Sequence, residues 1–158
     1  MKSAAFLGCL IAFGSITPAS AQKAEAPFSQ LSGAWSGGGQ VRLEGGKTER
    51  ITCRANYTPR DAGASVGIAL RCASTSFSIN LRSTVASNGG RVTGDWEESN
   101  FGASGNLTGR ASAGNLAVAI NGGGFNGSMS VSFGGSRQQV SINTNGTGFK
   151  GASISLSK

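Results

Sequence analysis

The residues that could carry chemistry in this chain are its cysteines, carboxylates and arginines, because histidine is absent from all 158 positions. That absence excludes Ser-His-Asp triads, Cys-His dyads and histidine-ligated zinc or haem. The carboxylates cluster only around Trp96, which Asp95, Glu97 and Glu98 flank. On a strand, Asp95 and Glu97 share the face opposite Trp96, which favours a solvated strand end over a catalytic pair. We therefore predict no catalytic residue, no metal site, no cofactor and no enzymatic activity.

Cys53 and Cys72 are predicted to form a disulfide across a hairpin. The turn signal at residues 60–64 lies midway between them, so a hairpin centred there places the two cysteines directly opposite each other. Closing a loop of about 20 residues contributes about 3 kcal/mol in the chain-entropy model. A redox-active role is disfavoured, because the spacing is not Cys-x-x-Cys and no histidine is present to lower the pKa of a thiol.

The arginines of the first two thirds of the chain alternate with apolar residues and are predicted to face outward. They are Arg42, Arg50, Arg54, Arg71, Arg82 and Arg91. The register that pairs the cysteines also pairs Arg54 with Arg71, and like charges directly opposite each other destabilise a sheet. A bound anion would relieve this repulsion. Arg54, Arg71 and Arg82 are thus a candidate site for an anionic envelope component or protein. The alternative is a basic surface that only keeps a chain of net charge +7 soluble.

Strands must position these residues, since apolar side chains recur at every second position from Ser32 onward. Glycine-containing turns such as Gly45-Gly46 and Asn88-Gly89-Gly90 separate the runs at short intervals, which is typical of an antiparallel meander. We predict an all-β, up-and-down meander of about eight to ten strands. It forms a single domain over residues 32–158. Closure into a small barrel removes both exposed edges, and a sandwich or a β-solenoid is the alternative.

The inward-facing apolar residues either fill this barrel or line a pocket for a small apolar ligand. Inward glycines and alanines are expected to leave room for such a pocket, and both interpretations stay open on the sequence. The candidate pocket residues are Trp35, Tyr57, Leu70, Phe77, Trp96 and Phe133. Nucleic acid is not an expected partner, because the chain is predicted to be exported and has few aromatic side chains for base stacking.

The N-terminal segment has the features of an export signal. Lys2 precedes an apolar run from Ala4 to Ile16, and Ala19-Ser20-Ala21 is a small-x-small cleavage site. The run is shorter than the roughly 20 residues that cross a bilayer as a helix. We predict a signal peptide over residues 1–21, a flexible leader over residues 22–31 and no transmembrane segment after cleavage. The expected location is periplasmic or secreted, where disulfides persist.

The segment Gly33-Ala34-Trp35 resembles the Gly-x-Trp start of the calycins, the superfamily of lipocalin-like, avidin-like and nitrobindin-like up-and-down barrels. The resemblance implies that Trp35 closes one end of the barrel and that the cavity holds a small, mostly apolar ligand. The haem ligation of the nitrobindin-like branch does not carry over, because no histidine is present. The mature chain also resembles a group of small exported proteins from alphaproteobacteria.

Together these observations predict an exported, non-enzymatic barrel that binds a small apolar ligand in its interior. The alternative is an envelope-associated or protease-inhibitor-like module that docks an anionic partner through its arginine-rich outer face. The two functions differ in the residues that would carry them. Ligand binding depends on the inward aromatic residues, whereas docking depends on the outward Arg54 and Arg71 and weakens as salt screens their charge.

Overall fold

The computed structural model describes residues 26–146 and 148–158, so the predicted signal peptide lies outside the described residues. Within them the chain forms an all-β structure, as predicted. Its strands are β1 (Gly33–Leu43), β2 (Thr48–Arg60), β3 (Ser65–Ala73), β4 (Ser78–Asn88), β5 (Arg91–Glu98), β6 (Ala103–Ser112), β7 (Asn115–Gly122), β8 (Phe125–Gly134), β9 (Arg137–Gly146) and β10 (Phe149–Ser157). The described helical elements are three 3-10 turns at Ser29–Leu31, Glu44–Gly46 and Asp61–Gly63.

The sheet closes on itself. Each strand pairs antiparallel with its neighbours in the chain, and β1 pairs with β10, where Gly37 lies opposite Leu156. The predicted barrel is therefore confirmed, and the sandwich and the solenoid are excluded. Closure explains how so long a meander avoids an unpaired edge strand.

The β2–β3 hairpin has the register that the sequence predicts. Cys53 lies opposite Cys72, and the two form a disulfide with Cα atoms 4.1 Å apart. The turn contains Asp61 and Ala62, whose φ angles are 51° and 54°. The Ser65 hydroxyl donates a hydrogen bond to the Asp61 carboxylate and so helps to hold this turn. Both cysteines are buried inside the barrel.

Burial alternates along the strands as the period of two requires. On β2, the side chains of Ile51, Cys53, Ala55 and Tyr57 are buried, and the residues between them are exposed. Buried apolar side chains of nine strands form one core inside the barrel, and the partly buried Val140 and Ile142 of β9 pack against it. One face of the sheet therefore supplies the core, and the other carries the polar and charged residues.

Several inward positions are glycine because neighbouring strands approach each other closely there. A Cβ atom at Gly37 would lie 2.0 Å from the carbonyl oxygen of Ser155, and one at Gly39 would lie 1.9 Å from that of Ser153. No side chain can be accommodated at such distances, so glycine allows β1 to bend against β10. The expectation that inward glycines leave room for a ligand is wrong at these positions, because backbone occupies that space.

The two ends of the barrel differ. At the end where β1 begins and β10 ends, which we call the capped end, residues 26–31 pack onto the barrel. Phe28 is 0% exposed and Leu31 is 3% exposed, and the Phe28 N–H donates to the Gly63 carbonyl at 3.1 Å. Part of the predicted leader over residues 22–31 therefore packs onto the barrel. The sequence did not predict this packing, because residues 26–31 form a segment too short to show an apolar periodicity. We call the opposite end, where β1 ends and β10 begins, the open end.

Candidate functional site

Trp35 lies at the capped end. Its indole Nε1 donates a hydrogen bond to the Leu31 carbonyl at 2.7 Å, which ties the barrel to residues 26–31. The ring meets Tyr57 edge-on, with centroids 6.3 Å apart and planes at 84°. The Lys158 ammonium lies 4.9 Å from the centroid of the indole ring. The polar atom and the ring of Trp35 thus both make contacts that hold it at the capped end.

A buried polar pair stabilises the same end. The Tyr57 hydroxyl donates to Gln138 Oε1 at 2.9 Å, and both side chains are buried. Burial raises the pKa of Tyr57, and the hydrogen bond to Gln138 offsets this only in part. Phe133 is also buried near this end. Three predicted pocket residues, Trp35, Tyr57 and Phe133, therefore belong to the closed part of the core.

Apolar side chains that are only partly buried are more common toward the open end, although Val41, Ile51 and Ile120 are buried in the same half of the barrel. This partly buried set, most of which lies in the half of the barrel nearest the open end, is Ile68, Leu70, Phe77, Ile79, Leu81, Ala103, Met129, Val140, Ile142 and Phe149. Two predicted pocket residues, Leu70 and Phe77, belong to it. A third, Trp96, is buried close to the end of β5 in the same half of the barrel. The structure thus divides the six predicted pocket residues equally between the two ends.

Glu98 is a buried, inward-facing carboxylate at the open end, and it is 6% exposed. Its Oε1 accepts hydrogen bonds from the main-chain N–H groups of Asn80 and Asn100 at 2.7 and 3.1 Å, and its Oε2 accepts one from Phe101 at 2.6 Å. Burial raises the pKa of Glu98, but the three N–H groups lower it more, so it lies below its ordinary value. The sequence places Glu98 in the carboxylate cluster around Trp96 but did not predict its inward orientation, although Glu98 shares the parity of Trp96 on β5.

The turn that Glu98 holds presents Phe101 to solvent. Phe101 is 65% exposed, and no other large apolar side chain is exposed among those that the structure describes, a set that leaves out Phe125. The neighbouring Asn100 amide donates to both the carbonyl and the hydroxyl oxygen of Ser78, each at 3.0 Å. The β5–β6 turn is thus bonded to β4 as well as to Glu98, and the exposure of Phe101 is a property of a well-anchored turn.

Glu49 connects the β1–β2 and β3–β4 loops at the open end. Its carboxylate accepts hydrogen bonds from the hydroxyls of Ser76 and Ser74 at 2.8 and 2.9 Å, and it lies 3.1 Å from the Lys47 ammonium. The two hydroxyls and then Lys47 lower the pKa of Glu49 from 4.5 to about 2. Like Glu98, it is ionised and already bonded, which makes it a poor general base near neutral pH.

A third carboxylate connects the β1–β2 loop to the β9–β10 loop. Glu44 lies 3.7 Å from the Lys150 ammonium, and it accepts a hydrogen bond from the Gly148 N–H at 3.3 Å. With the contacts of Glu49 and Glu98, four consecutive loops around the open end are bonded to one another. We call these loops, which are β9–β10, β1–β2, β3–β4 and β5–β6, the rim. Its polar bonds hold the loops to their neighbours at this end of the barrel.

The predicted arginine pair is present on the outer face. Arg54 lies directly opposite Arg71, and both are exposed. Arg82 lies opposite Glu97 on the β4–β5 pair. Among the described residues, none of these three arginines comes within 4.0 Å of a carboxylate oxygen. The repulsion between Arg54 and Arg71 therefore has no compensating ion pair within the described chain.

A polar groove of about 820 Å³ lies across the outer faces of β2 to β6. Its exposed polar lining consists of Asn56, Thr58, Arg60, Arg82, Thr84, Asp95, Glu97, Ser104 and Asn106. Asp95 and Glu97 thus lie on the outer face, as predicted. Arg54 and Arg71 do not line the groove, so the structure separates the predicted anion site into a basic pair and a groove of mixed charge.

No helix in residues 26–146 or 148–158 is long and apolar enough to cross a membrane. Within the same residues, no group of three or more histidine, cysteine, aspartate or glutamate side chains is arranged to hold a metal ion. The two cysteines of the described chain are joined to each other in the disulfide.

Neither a protein family nor a curated protein sequence matches this chain. In structure, the barrel is similar to the S-type phycobiliprotein lyase CPES from Guillardia theta, with a TM-score of 0.59 and 11% sequence identity. The similarity covers 82% of this chain and 88% of that chain. At this identity it concerns the fold alone, which is a barrel, as the Gly-x-Trp segment predicts. Because the neighbour is named a lyase, the shared fold does not separate a binding protein from an enzyme. The resemblance to exported alphaproteobacterial proteins stays a prediction.

Proposed function

We propose that this protein is an exported, non-enzymatic barrel that binds a small apolar ligand through its open end. The observation that carries the proposal is the difference between the two ends. Most of the partly exposed apolar side chains, among them Leu70 and Phe77, lie toward the open end, whereas Leu31, Trp35 and Phe133 at the capped end are buried. An apolar ligand that covered the partly exposed side chains would remove this surface from water. The barrel fold shared with a phycobiliprotein lyase fits a ligand-binding interior.

The non-enzymatic part of the proposal rests on the state of the inward-facing acids. A general acid or base works best when its pKa lies near the working pH. The pKa values of Glu49 and Glu98 are both lowered, and both carboxylates are bonded to neighbouring loops. Tyr57 has a raised pKa and is buried at the capped end. These groups are suited to hold the structure together and not to transfer protons.

The ligand proposal is tested by titrating residues 22–158 with the neutral apolar fluorophore 1-aminoanthracene. We expect saturable binding that does not change with salt, because no charge contributes to it. Phe77→Ala at the open end should weaken binding about tenfold, since about 1.4 kcal/mol of apolar contact is lost. Phe133→Leu near the capped end keeps most of the side-chain volume and should leave the affinity unchanged. A folded protein that shows no saturable binding would contradict the proposal, as would equal weakening by both variants.

Export rests on the pattern of Lys2, the apolar run and Ala19-Ser20-Ala21, and the Cys53–Cys72 disulfide fits an oxidising compartment. Native mass spectrometry of the protein from a cell that exports it tests this and identifies the natural ligand. We expect a chain that begins at Gln22, lacks two hydrogens relative to the reduced form, and retains a small molecule. A full-length chain in the cytoplasm would contradict export.

A second candidate function is docking of an anionic partner through Arg54 and Arg71. Two observations favour it. The two arginines lie directly opposite each other, and among the described residues no carboxylate oxygen comes within 4.0 Å of either one. If the protein has this function, replacing both arginines with glutamine should abolish its salt-sensitive binding to the anionic partner and should leave fluorophore binding intact. If the double variant instead associates normally, the pair serves only the charge of the surface.

A further inference from the structure

The polar groove on the outer face of β2 to β6 is lined by two rows of residues that run across the strands. Residues that lie directly opposite one another on the five strands form the first row, which is Thr58, Gly67, Thr84, Asp95 and Asn106. The second row lies two residues away on each strand and consists of Asn56, Ala69, Arg82, Glu97 and Ser104. The rows are about 7 Å apart and extend over about 19 Å of sheet, so they outline a site for a short oligomer.

Small residues on β3 give the groove its depth. Gly67 lies between Thr58 and Thr84, so longer side chains of β2 and β4 stand on both sides of a low floor. The Arg60 guanidinium reaches over this floor, since a Cβ atom at Gly67 would lie 3.6 Å from its Nη2. The groove is thus a channel whose walls are polar side chains.

The acidic side chains of the groove are not used to hold the barrel together. Of the six carboxylates that the structure describes, four are bonded to other groups of the chain, and these are Glu44, Glu49, Asp61 and Glu98. The remaining two, Asp95 and Glu97, both line the groove. Neither carboxylate forms a hydrogen bond or an ion pair with another described residue, although Arg82 lies directly opposite Glu97. The groove therefore gathers the described acids whose hydrogen-bonding capacity is left for a ligand.

The charges of the groove favour a ligand that is itself uncharged. Arg60 and Arg82 contribute two positive charges to the lining, and Asp95 and Glu97 contribute two negative ones. An anion or a cation would therefore meet repulsion as well as attraction. A ligand that displaces water from these groups must supply acceptors to the guanidinium groups and donors to the carboxylates. A hydroxyl group does both, so a neutral compound rich in hydroxyl groups matches this lining.

The closed barrel favours a saccharide over a peptide as the source of those hydroxyl groups. Extended peptides commonly bind by adding a strand to the edge of a sheet, but the ten described strands close on one another and leave no edge. On the face of the sheet, the polar main chain of a peptide would meet side chains alone. A sugar ring carries hydroxyl groups on adjacent carbons, and the paired oxygens of a carboxylate or the paired N–H groups of a guanidinium can bind two of them at once.

We propose that the groove on the outer face of β2 to β6 binds a short neutral oligosaccharide that lies across the strands. Asp95 and Glu97 accept hydrogen bonds from its hydroxyl groups, and Arg60 and Arg82 donate hydrogen bonds to them. Asn106, at the β6 side of the groove, does both. The site lies on the opposite face of the sheet from the proposed apolar ligand, so binding of one ligand does not require the other.

The experiment is isothermal titration calorimetry of residues 22–158 with three neutral probes, which are maltotetraose, cellotetraose and tetra-N-acetylchitotetraose. We expect saturable binding of at least one probe, with little dependence on salt because the ligand carries no charge. Asp95→Asn should weaken this binding about tenfold, because an amide nitrogen replaces one of two charged acceptor oxygens. Tetragalacturonic acid, which is acidic, and a tetraserine peptide with blocked ends, which has hydroxyl groups but no sugar ring, should not bind.

Asn106→Ala and Asn121→Ala form a matched pair that tests the location of the site. The two asparagines lie directly opposite each other on β6 and β7 and are both exposed, but of the two only Asn106 lines the groove. We expect Asn106→Ala to weaken sugar binding about fivefold and Asn121→Ala to leave it unchanged. Circular dichroism confirms that each variant is folded, and both should bind 1-aminoanthracene as the wild type does.

Four results would overturn the proposal: no saturable heat with any of the three neutral sugars, equal sugar affinity in Asn106→Ala and Asn121→Ala, binding of tetragalacturonic acid as tight as that of the neutral sugars, or equally tight binding of the tetraserine peptide. The third result would make the groove a site for anions, and the fourth would make it a site for polar peptides. The sugars report on the outer face and 1-aminoanthracene on the interior, so the failure of one proposal is distinguishable from the failure of the other.

Discussion

Replacing Glu98 with glutamine tests whether one buried carboxylate holds the β5–β6 turn. The carboxylate accepts three main-chain N–H groups, from Asn80, Asn100 and Phe101. A glutamine of the same shape has one acceptor oxygen and one donor nitrogen. In its best orientation, with the oxygen toward Asn80 and Asn100, the amide nitrogen faces the Phe101 N–H.

The expected loss follows from that mismatch. A buried donor without a partner costs about 1–3 kcal/mol, and the remaining bonds lose the strengthening that a charged acceptor provides. We therefore expect Glu98→Gln to lower the free energy of unfolding by about 2–3 kcal/mol, measured by urea denaturation at neutral pH. Amide hydrogen exchange at Phe101 should accelerate in the same variant, because its hydrogen bond is the one that is lost.

Glu97→Gln is the matched control. Glu97 is the adjacent residue on β5, it is exposed on the outer face, and its removal changes the net charge by the same amount. A surface substitution of this kind alters stability by about 0.5 kcal/mol or less. If Glu98→Gln proves as stable as Glu97→Gln, then the three N–H groups have other partners and the account of the turn is wrong.

The pH dependence gives a second check on Glu98. Its pKa is lower in the folded protein than its ordinary value of 4.5, so the unfolded chain binds more protons at this group. Its contribution to stability is complete above its ordinary pKa and is lost as the pH falls through the folded value. The stability difference between wild type and Glu98→Gln should therefore shrink in acid. A difference that stays constant into acid would refute the assignment of an ionised carboxylate.

Three further predictions concern the framework. Replacing Cys53 and Cys72 together with alanine should lower the free energy of unfolding by about 3 kcal/mol in urea, and a reducing agent should do the same to the wild type only. Glu49→Gln should remove a loss of stability that the wild type shows in thermal melts between pH 4.5 and about 2, because ionised Glu49 favours the folded state above that window. Gly37→Ala should destabilise the barrel by more than about 2 kcal/mol, whereas Gly134→Ala, where a Cβ meets nothing within 4 Å, should change its urea midpoint little.

Much of the fold could be predicted because a strand shows its two faces in the sequence. Alternation of apolar residues identifies the inward side chains, and the turn at residues 60–64 sets the register that joins Cys53 to Cys72. Ten strands with glycine-rich turns then require closure to avoid free edges. Each of these inferences depends on short stretches of chain or on one local turn.

The site was harder to predict, because the alternation of apolar and polar residues does not show how far along the barrel axis a side chain lies. We call this position its height. Trp35 and Leu70 have the same inward parity, yet one lies at the capped end and the other toward the open end. Height depends on the stagger between neighbouring strands, which no short segment of sequence contains. The buried role of Glu98 was missed for a related reason, since it depends on the main-chain N–H groups of the turn that follows it.

The pairing of β1 with β10 also has a consequence for when the protein can fold. These strands lie at opposite ends of the chain, so the contact between Gly37 and Leu156 spans most of its length. Contacts of such separation form slowly, because a long loop must be closed before they stabilise the chain. A ribosome releases β10 only after all the other strands, and until then β1 has an open edge. The barrel therefore cannot close before synthesis of the chain is nearly finished. Such a delay would favour the proposed export, because a chain has to be unfolded while it passes through a translocation pore.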